Sequence, residues 1–438
     1  MNSVKEILGR HILADGYDFV MDFEKSHGSW IVDQVSGTTY LDMFSMFASA
    51  SVGYNHPYIV KHKDWLGSHA TFKPTLSDVY LKEYADFVEV FARVGIPEEL
   101  SYCFFIEGGA LAVENALKTA FDWKTRKNWL KGSTVEASQV IHFKQAFHGR
   151  SGYTLSLTNT SDPRKYQYFP KFNWPRIVNP KLHFPLTEES LASTKALEAQ
   201  AIGQINEAIV ANPDDIACII IEPIQSEGGD NHFRPEFLKE LRRICDENDI
   251  LLIFDEVQVG MAITGKMWAY QTLGVTPDIL SFGKKAQVCG ILASKSKLDQ
   301  VEGHVFKESS RINSTFGGNF LDMLRFKLIL EIIESEKLLQ NVETQGKLLL
   351  NSLRELEDKH PDVISNSRGR GILCAFDLPT PEIRNQFITD LREKEHLLIL
   401  PCGDNSIRFR PHLTVSSDEI AQAVMAIDKV AKGIRIPA

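Results

Sequence analysis

No stretch of the chain approaches the ~18 consecutive apolar residues of a membrane-spanning helix, and the N-terminal MNSVKEILGRHILADGYDF lacks the basic-then-apolar pattern of an export signal. The expectation from both absences is a cytoplasmic protein with no membrane partner. Cysteine is scarce: Cys103, Cys218, Cys245, Cys289, Cys374 and Cys402 are scattered, with no C-x-x-C and no Cys/His pair at zinc spacing. Reduced core or loop thiols are therefore expected, with no disulfide framework and no metal site. Basic blocks are missing too, and a net charge of −9 gives nucleic acid no surface to dock on. Absence of G-x-x-x-x-G-K-[ST] excludes a P-loop nucleotide enzyme, and no repeat or low-complexity tract points to a solenoid or fibre.

What remains is an ordinary globular composition, 43% hydrophobic and 24% charged over 438 residues, enough for about two or three domains. Three short apolar runs carry the organisation: Ala217 to Ile221, Ile250 to Phe254, and Ile279 to Phe282. A helical pattern, Pro235 to Asn248, separates the first two, and a shorter one, Trp268 to Leu273, separates the second and third. That order is βαβαβ, hence a parallel sheet with right-handed crossovers. The first run leads into Glu222, the second into Asp255-Glu256-Val257-Gln258, and the third into Gly283-Lys284-Lys285. Two carboxylates and a lysine thus gather at the carboxyl edge of one sheet, where open α/β sheets bind ligands. A buried Asp needs a cationic or hydrogen-bonding partner, and a protonated heterocyclic nitrogen would serve. A lysine there loses hydration, its pKa falls, and its amine becomes a nucleophile able to form a Schiff base. Taken alone, the Lys-Lys pair also reads as a solvated loop.

Upstream, Trp30 to Asp33 and Thr39 to Asp42 read as strands of a small meander around Ser36-Gly37, and Phe44 to Tyr54 as a loop lining something. Ser101 to Phe105 reads as a buried strand, followed by Gly108-Gly109-Ala110 opening a long helix. Glycines at a helix start expose N–H groups suited to a phosphate, although Gly-Gly there is often only a tight turn. Another strand, Gln139 to Phe143, precedes Phe147-His148-Gly149-Arg150, which offers a stacking face and a carboxylate clamp. Downstream, Arg311 to Asn319 is a polar loop with hydroxyls and glycines, a further possible phosphate contact. Two long amphipathic helices are expected over Leu321 to His360. Strands at Gly371 to Phe376 and Ile407 to Arg410 then alternate with helices Pro381 to His396 and Ser417 to Gly433, giving a compact second α/β domain with its boundary near residue 324.

From about Tyr40 to Thr414, the stretches EGGALAVENALKTAFDWK, AFHGRSGYTLSLTNT, EPIQSEGGDNHFRPEFLKELR and FGKKAQVCG resemble the class III, or ω-amino-acid, aminotransferases of fold type I, which use pyridoxal 5′-phosphate. Within that family the lysine ε-aminotransferases are most similar. The resemblance implies an α/β fold: a large domain, 58–324, with a mostly parallel seven-stranded sheet, a small α/β domain, 325–438, and an N-terminal segment, 1–57, packing on the small domain. It implies that Lys284 holds the cofactor covalently and then moves the proton, being preferred to Lys285 because it completes DILSFGK. By the same resemblance Asp255 pairs with the pyridine nitrogen, Phe147 stacks on one ring face, and Val257 and Gln258 press on the other side. Gly109 and Ala110 cradle the phosphate, helped by Thr315 from a partner subunit, which implies a homodimer with shared sites. Glu222 joins the cofactor-binding set, and Phe47 and Asn313 the substrate-binding set. Arg150 is implied to bind the α-carboxylate of L-lysine. Arg408 would bind the second carboxylate of 2-oxoglutarate, with Glu227 pairing Arg408 when lysine is present and Arg410 competing for its place. The rival readings are an ornithine or 4-aminobutyrate ω-aminotransferase and, further off, a racemase or decarboxylase of the same fold. Three departures stand out: Gly108 replaces the usual Ser of Ser-Gly-Ala, Val259 follows DEVQ, and Lys285 follows the catalytic lysine.

Overall fold

In chain order, β1 (Trp30–Val32) and β2 (Thr39–Asp42) form an antiparallel hairpin, and β3 (Tyr102–Ile106), β4 (Gln139–Phe143), β5 (Arg176–Ile177) and β6 (Ile216–Ile221) enter the main sheet. A small hairpin, β7 (Ile224–Gln225) with β8 (Asn231–His232), precedes β9 (Leu251–Asp255), β10 (Ile279–Phe282) and β11 (Cys289–Ala293). The C-terminal part holds β12 (Ser365–Arg370), β13 (Leu373–Asp377), β14 (Leu397–Leu398), β15 (Leu400–Cys402) and β16 (Ser406–Phe409). This computed structural model describes residues 3–435; residues 1–2 and 436–438, at the outer ends of the expected terminal units, lie outside it.

The main sheet has seven strands in the order β3-β11-β10-β9-β6-β4-β5. Every residue of β6, β9 and β10 is buried, as continuous apolar runs covered on both faces require. β10, β9, β6, β4 and β5 are mutually parallel, while β11 runs antiparallel to both β10 and β3. The reversal has a local cause. The link Gly283–Val288 is far shorter than the dozen or so residues a parallel crossover needs, so β11 must turn back. That tight link carries Lys284, which is thereby held at the carboxyl end of β10.

The N-terminal hairpin is not a meander. Its third strand is β14, parallel to β2 and drawn from the far end of the chain, a pairing that local patterning cannot reveal. Within Phe44 to Tyr54, Ser45–Ala48 form one left-handed turn, with φ from 43° to 69° at four consecutive non-glycine residues. The strand expected over Gly371 to Phe376 is β13, which starts two residues later because Gly371, at φ 59°, makes the turn that joins it to β12, a preceding strand the sequence patterns did not single out. β12, β13, β16 and β15 form an antiparallel sheet of four.

Of the two long helices, Leu338–Lys359 buries Leu338, Val342, Leu349, Leu353 and Leu356 along one stripe. Phe320–Ser335 is not amphipathic: Phe320, Met323, Leu324, Phe326, Leu328, Ile329, Leu330, Ile332 and Ile333 are all buried, because it is enclosed between other helices. Residue 324 falls within this unbroken helix.

Candidate functional site

One cavity of about 660 Å³ opens at the carboxyl edge of the seven-stranded sheet, and Gly109, Ala110, Phe147, Arg150, Glu222, Glu227, Asp255, Val257, Gln258 and Lys284 all line it. The strand order explains the gathering: β4, β6, β9 and β10 lie side by side, so the residues just beyond their carboxyl ends meet at one edge.

Asp255 is the last residue of β9 and almost fully buried. Its Oδ1 accepts the N–H of Val257 at 3.1 Å, and His148 Nδ1 lies 2.7 Å from Oδ2. With a carboxylate as acceptor, Nδ1 is the donor. The other ring nitrogen, Nε2, is buried without a partner among the described residues. Local patterning assigns His148 no role; only the adjacency of strands β4, β6 and β9 brings it behind Asp255.

Glu222 braces the site from behind β6. Its two oxygens accept the N–H groups of Phe147 at 2.9 Å and Ser226 at 3.0 Å, and burial pushes its carboxyl up to about 7. The loop bearing Phe147 is thereby tied to the neighbouring strand.

The two lysines separate cleanly. Lys284 lines the cavity, and burial, followed by the positive charge of Arg408, lowers its amine to about 8. Lys285 points elsewhere: its ammonium donates to the carbonyl of Pro411 at 3.3 Å, and burial lowers it to about 7.

The helix Gly109–Leu130 begins at the cavity with no side-chain cap, so its first N–H groups are free for an anion. A Cβ on Gly109 would sit 2.8 Å from Val257 Cγ1, so glycine is what lets the helix start approach this closely.

Of the arginines, Arg150 is exposed at the cavity, its guanidinium 5.9 Å from the Phe147 ring centre, and it forms no ion pair among the described residues. Arg408 is buried. It donates from Nη1 to Gln258 at 2.9 Å and from Nη2 to Glu227 at 2.7 Å, while Nε has no partner among the described residues. Arg410 is fully buried and gripped through two nitrogens by Asp230, at 2.8 and 2.5 Å. Arg410 thus faces the fully buried Asp230, whereas Arg408 faces the half-buried Glu227, which lines the cavity.

Four expected residues do not line this cavity: Arg408 meets it only through Gln258 and Glu227, which do, and Phe47, Asn313 and Thr315 stand away from it. Phe47 sits on the left-handed turn, exposed, its ring edge-on to Phe44 at 5.7 Å. Asn313 and Thr315 lie exposed on the Arg311–Asn319 loop; Asn313 accepts the N–H of Ser314, and the Thr315 carbonyl accepts the Ser77 hydroxyl at 3.2 Å. From the Phe44–Tyr54 stretch it is Ser49 that reaches the cavity.

A half-buried amine, a buried carboxylate, an aromatic face and an uncapped helix start fit a phosphorylated, nitrogen-containing ring with a carbonyl group, as pyridoxal 5′-phosphate has. Among the described residues no cluster of His, Cys, Asp and Glu could hold a metal ion.

Comparison with known proteins bears on the same site. Residues 12–431 match the sequence model of the class-III aminotransferases. The chain is 50% identical over 428 residues to an L-lysine-epsilon aminotransferase of Mycobacterium tuberculosis, covering 97% of this chain and 94% of that one. It is 33% identical to the mitochondrial 4-aminobutyrate aminotransferase of Mus musculus, covering 94% and 85% respectively. Among solved structures, lysine aminotransferase from M. tuberculosis in the internal aldimine form superposes with a TM-score of 0.95 at 50% identity, with 98% of each chain covered.

Proposed function

The chain belongs to the class III aminotransferases and its cofactor is pyridoxal 5′-phosphate, and from that premise we propose that it moves the ε-amino group of L-lysine to 2-oxoglutarate. The products are glutamate and 2-aminoadipate 6-semialdehyde, which cyclises to piperideine-6-carboxylate. Identity of 50% to a lysine enzyme, against 33% to a 4-aminobutyrate enzyme, supports lysine over the rival ω-amines.

When bound, the cofactor supplies an aldehyde that captures amines and a ring that takes up electrons from the reacting carbon. The chain's residues do the rest. Lys284, lowered toward neutrality by burial, carries the proton to and from that carbon. Asp255, backed by His148, would hold the ring nitrogen through its buried carboxylate. Gly109 and Ala110 would offer helix N–H groups to the phosphate, Phe147 would stack on the ring, and Val257 and Gln258 would press on it from the other side.

The observation that carries the substrate reading is the unequal state of the two arginines. Arg150 is open, while Arg408 is closed by Glu227 at 2.7 Å. A monocarboxylate such as lysine needs only Arg150. A dicarboxylate needs both, and release of Glu227 frees Nη2 beside the unpartnered Nε, a two-donor edge matching a carboxylate.

We also read the protein as a cytoplasmic homodimer. Asn313 and Thr315, exposed and away from their own cavity, support a contribution to a partner's site, and six free cysteines suit a reducing compartment. The seven-stranded and four-stranded sheets support the large and small domains, and β14 on β2 supports packing of the N-terminal segment on the latter.

The test follows the visible absorption of the purified holoenzyme while L-lysine, L-ornithine and 4-aminobutyrate are added separately, then chased with 2-oxoglutarate. Lysine is expected to bleach the band and the keto acid to restore it. If only ornithine or 4-aminobutyrate does so, lysine is the wrong substrate.

A further inference from the structure

Glu227 is held by two cations rather than one. Its Oε2 accepts from Arg408 at 2.7 Å, and its Oε1 accepts from the ammonium of Lys165 at 2.5 Å. Burial alone would push this carboxyl up; the charges of Arg408 and Lys165 outweigh it and hold the group below the ordinary carboxylate range.

Lys165 ends a short turn, Pro163–Lys165, in a segment to which the sequence patterns assign nothing. The turn is tied down locally. Asp162 caps it and pairs with Arg164, the Tyr166 hydroxyl donates to the Thr160 carbonyl at 3.2 Å, and the Ser161 hydroxyl donates to the Gly403 carbonyl at 3.2 Å. The N–H of Gly403 in turn donates to the backbone carbonyl of Glu227 at 2.9 Å. Next in the chain, Gly228 lies so close to the Gln145 carbonyl that a Cβ there would be 2.1 Å from its oxygen. The Glu227 backbone is therefore fixed, and only its side chain is left to move.

Opening Arg408 for a second carboxylate means taking Glu227 away from it. A half-buried carboxylate stripped of its only cation is strongly disfavoured. Here the two cations occupy different oxygens, so the bond to Lys165 can persist when the bond to Arg408 breaks. We propose that Lys165 is a positioning residue for substrate choice: it retains Glu227 when a dicarboxylate claims Arg408, and so makes the open state accessible to 2-oxoglutarate. This rests on the reading of Arg408 as receptor for the second carboxylate.

The experiment measures glutarate binding to the holoenzyme by calorimetry, together with the ratio of the half-reaction rate constants, kcat/KM, for L-lysine and 2-oxoglutarate. In Lys165→Met the glutarate Kd is expected to rise about tenfold and the ratio to shift by a similar factor against the keto acid, as loss of one charge-assisted bond implies. Lys165→Arg should restore both. In a Glu227→Gln background the same Lys165→Met change should do nothing, since no carboxylate remains to be retained. A glutarate Kd and a ratio that do not move in Lys165→Met, or that move equally in the Glu227→Gln background, overturn the role of Lys165. Failure of the unsubstituted protein to react with lysine overturns instead the functional reading beneath it.

Discussion

Burial lowers both Lys284 and Lys285, to about 8 and about 7, yet only Lys284 meets the cavity, so for Lys285 the penalty buys no chemistry. Lys285 is almost wholly enclosed, and among the described residues its ammonium makes one long hydrogen bond, to the Pro411 carbonyl. Because its folded-state pKa lies below the ordinary lysine value of 10.5, the unfolded chain binds more protons than the native one between pH 7 and 10.5, and stability rises with pH across that window. Lys285→Met, which keeps the side chain's volume, removes the penalty. The variant should be more stable at pH 7 by on the order of a few kcal/mol, an advantage that shrinks toward pH 10.5. Urea midpoints of the cofactor-saturated protein at pH 7 and pH 10 check this; an equal shift at both would show that Lys285 does not titrate in that window. Lys284 and Asp255 were legible because each ends an apolar run at the same sheet edge. His148 was not, and the preference for Arg408 over Arg410 came from the family resemblance alone; the structure adds that Arg410 is paired with Asp230.

At the scale of elements, the phosphate cradle depends on how closely the start of the helix Gly109–Leu130 approaches the segment after β9. A Cβ on Gly109 would lie 2.8 Å from Val257 Cγ1, closer than two carbon atoms tolerate, so only glycine fits there without a shift. Gly109→Ala should push the helix start away and weaken pyridoxal 5′-phosphate binding by about threefold to tenfold, the size of a helix-terminus contribution near 1 kcal/mol. Val257→Ala added to it should return part of that affinity by removing the clashing methyl groups. Fluorescence titration of the cofactor-free variants reads both, and strictly additive losses would refute the steric account. The helix was visible in the sequence from its apolar spacing. The clash was not, since Gly109 and Val257 lie on different elements.

For the whole molecule, the exposed Arg311–Asn319 loop is the place where one chain is proposed to complete another's site. Mixing tests this. A Lys284→Ala chain and a Thr315→Asp chain should each be inactive as homodimers, since one lacks the reacting amine and the other sets a carboxylate against the phosphate. After subunit exchange at equal ratio, half the dimers are mixed and each of those regains one intact site, so about a quarter of the unsubstituted activity should return. No recovery after verified exchange would mean that both residues serve the same site and that the loop does not cross to a partner.

The amino-acid sequence by itself determined the sheet edge: apolar runs of strand length, the helices between them, and Glu222, Asp255 and Lys284 just where each run stops. Those features are local, and hydrophobic periodicity with its interruption is enough to expose them. Only the tertiary structure decided that His148 stands behind Asp255, that Asp230 pairs with Arg410, that β14 completes the N-terminal hairpin, and that Lys165 shares Glu227 with Arg408. Each of these depends on a partner far away in the chain, and one-dimensional patterning carries no record of which distant groups satisfy one another's charges and hydrogen bonds.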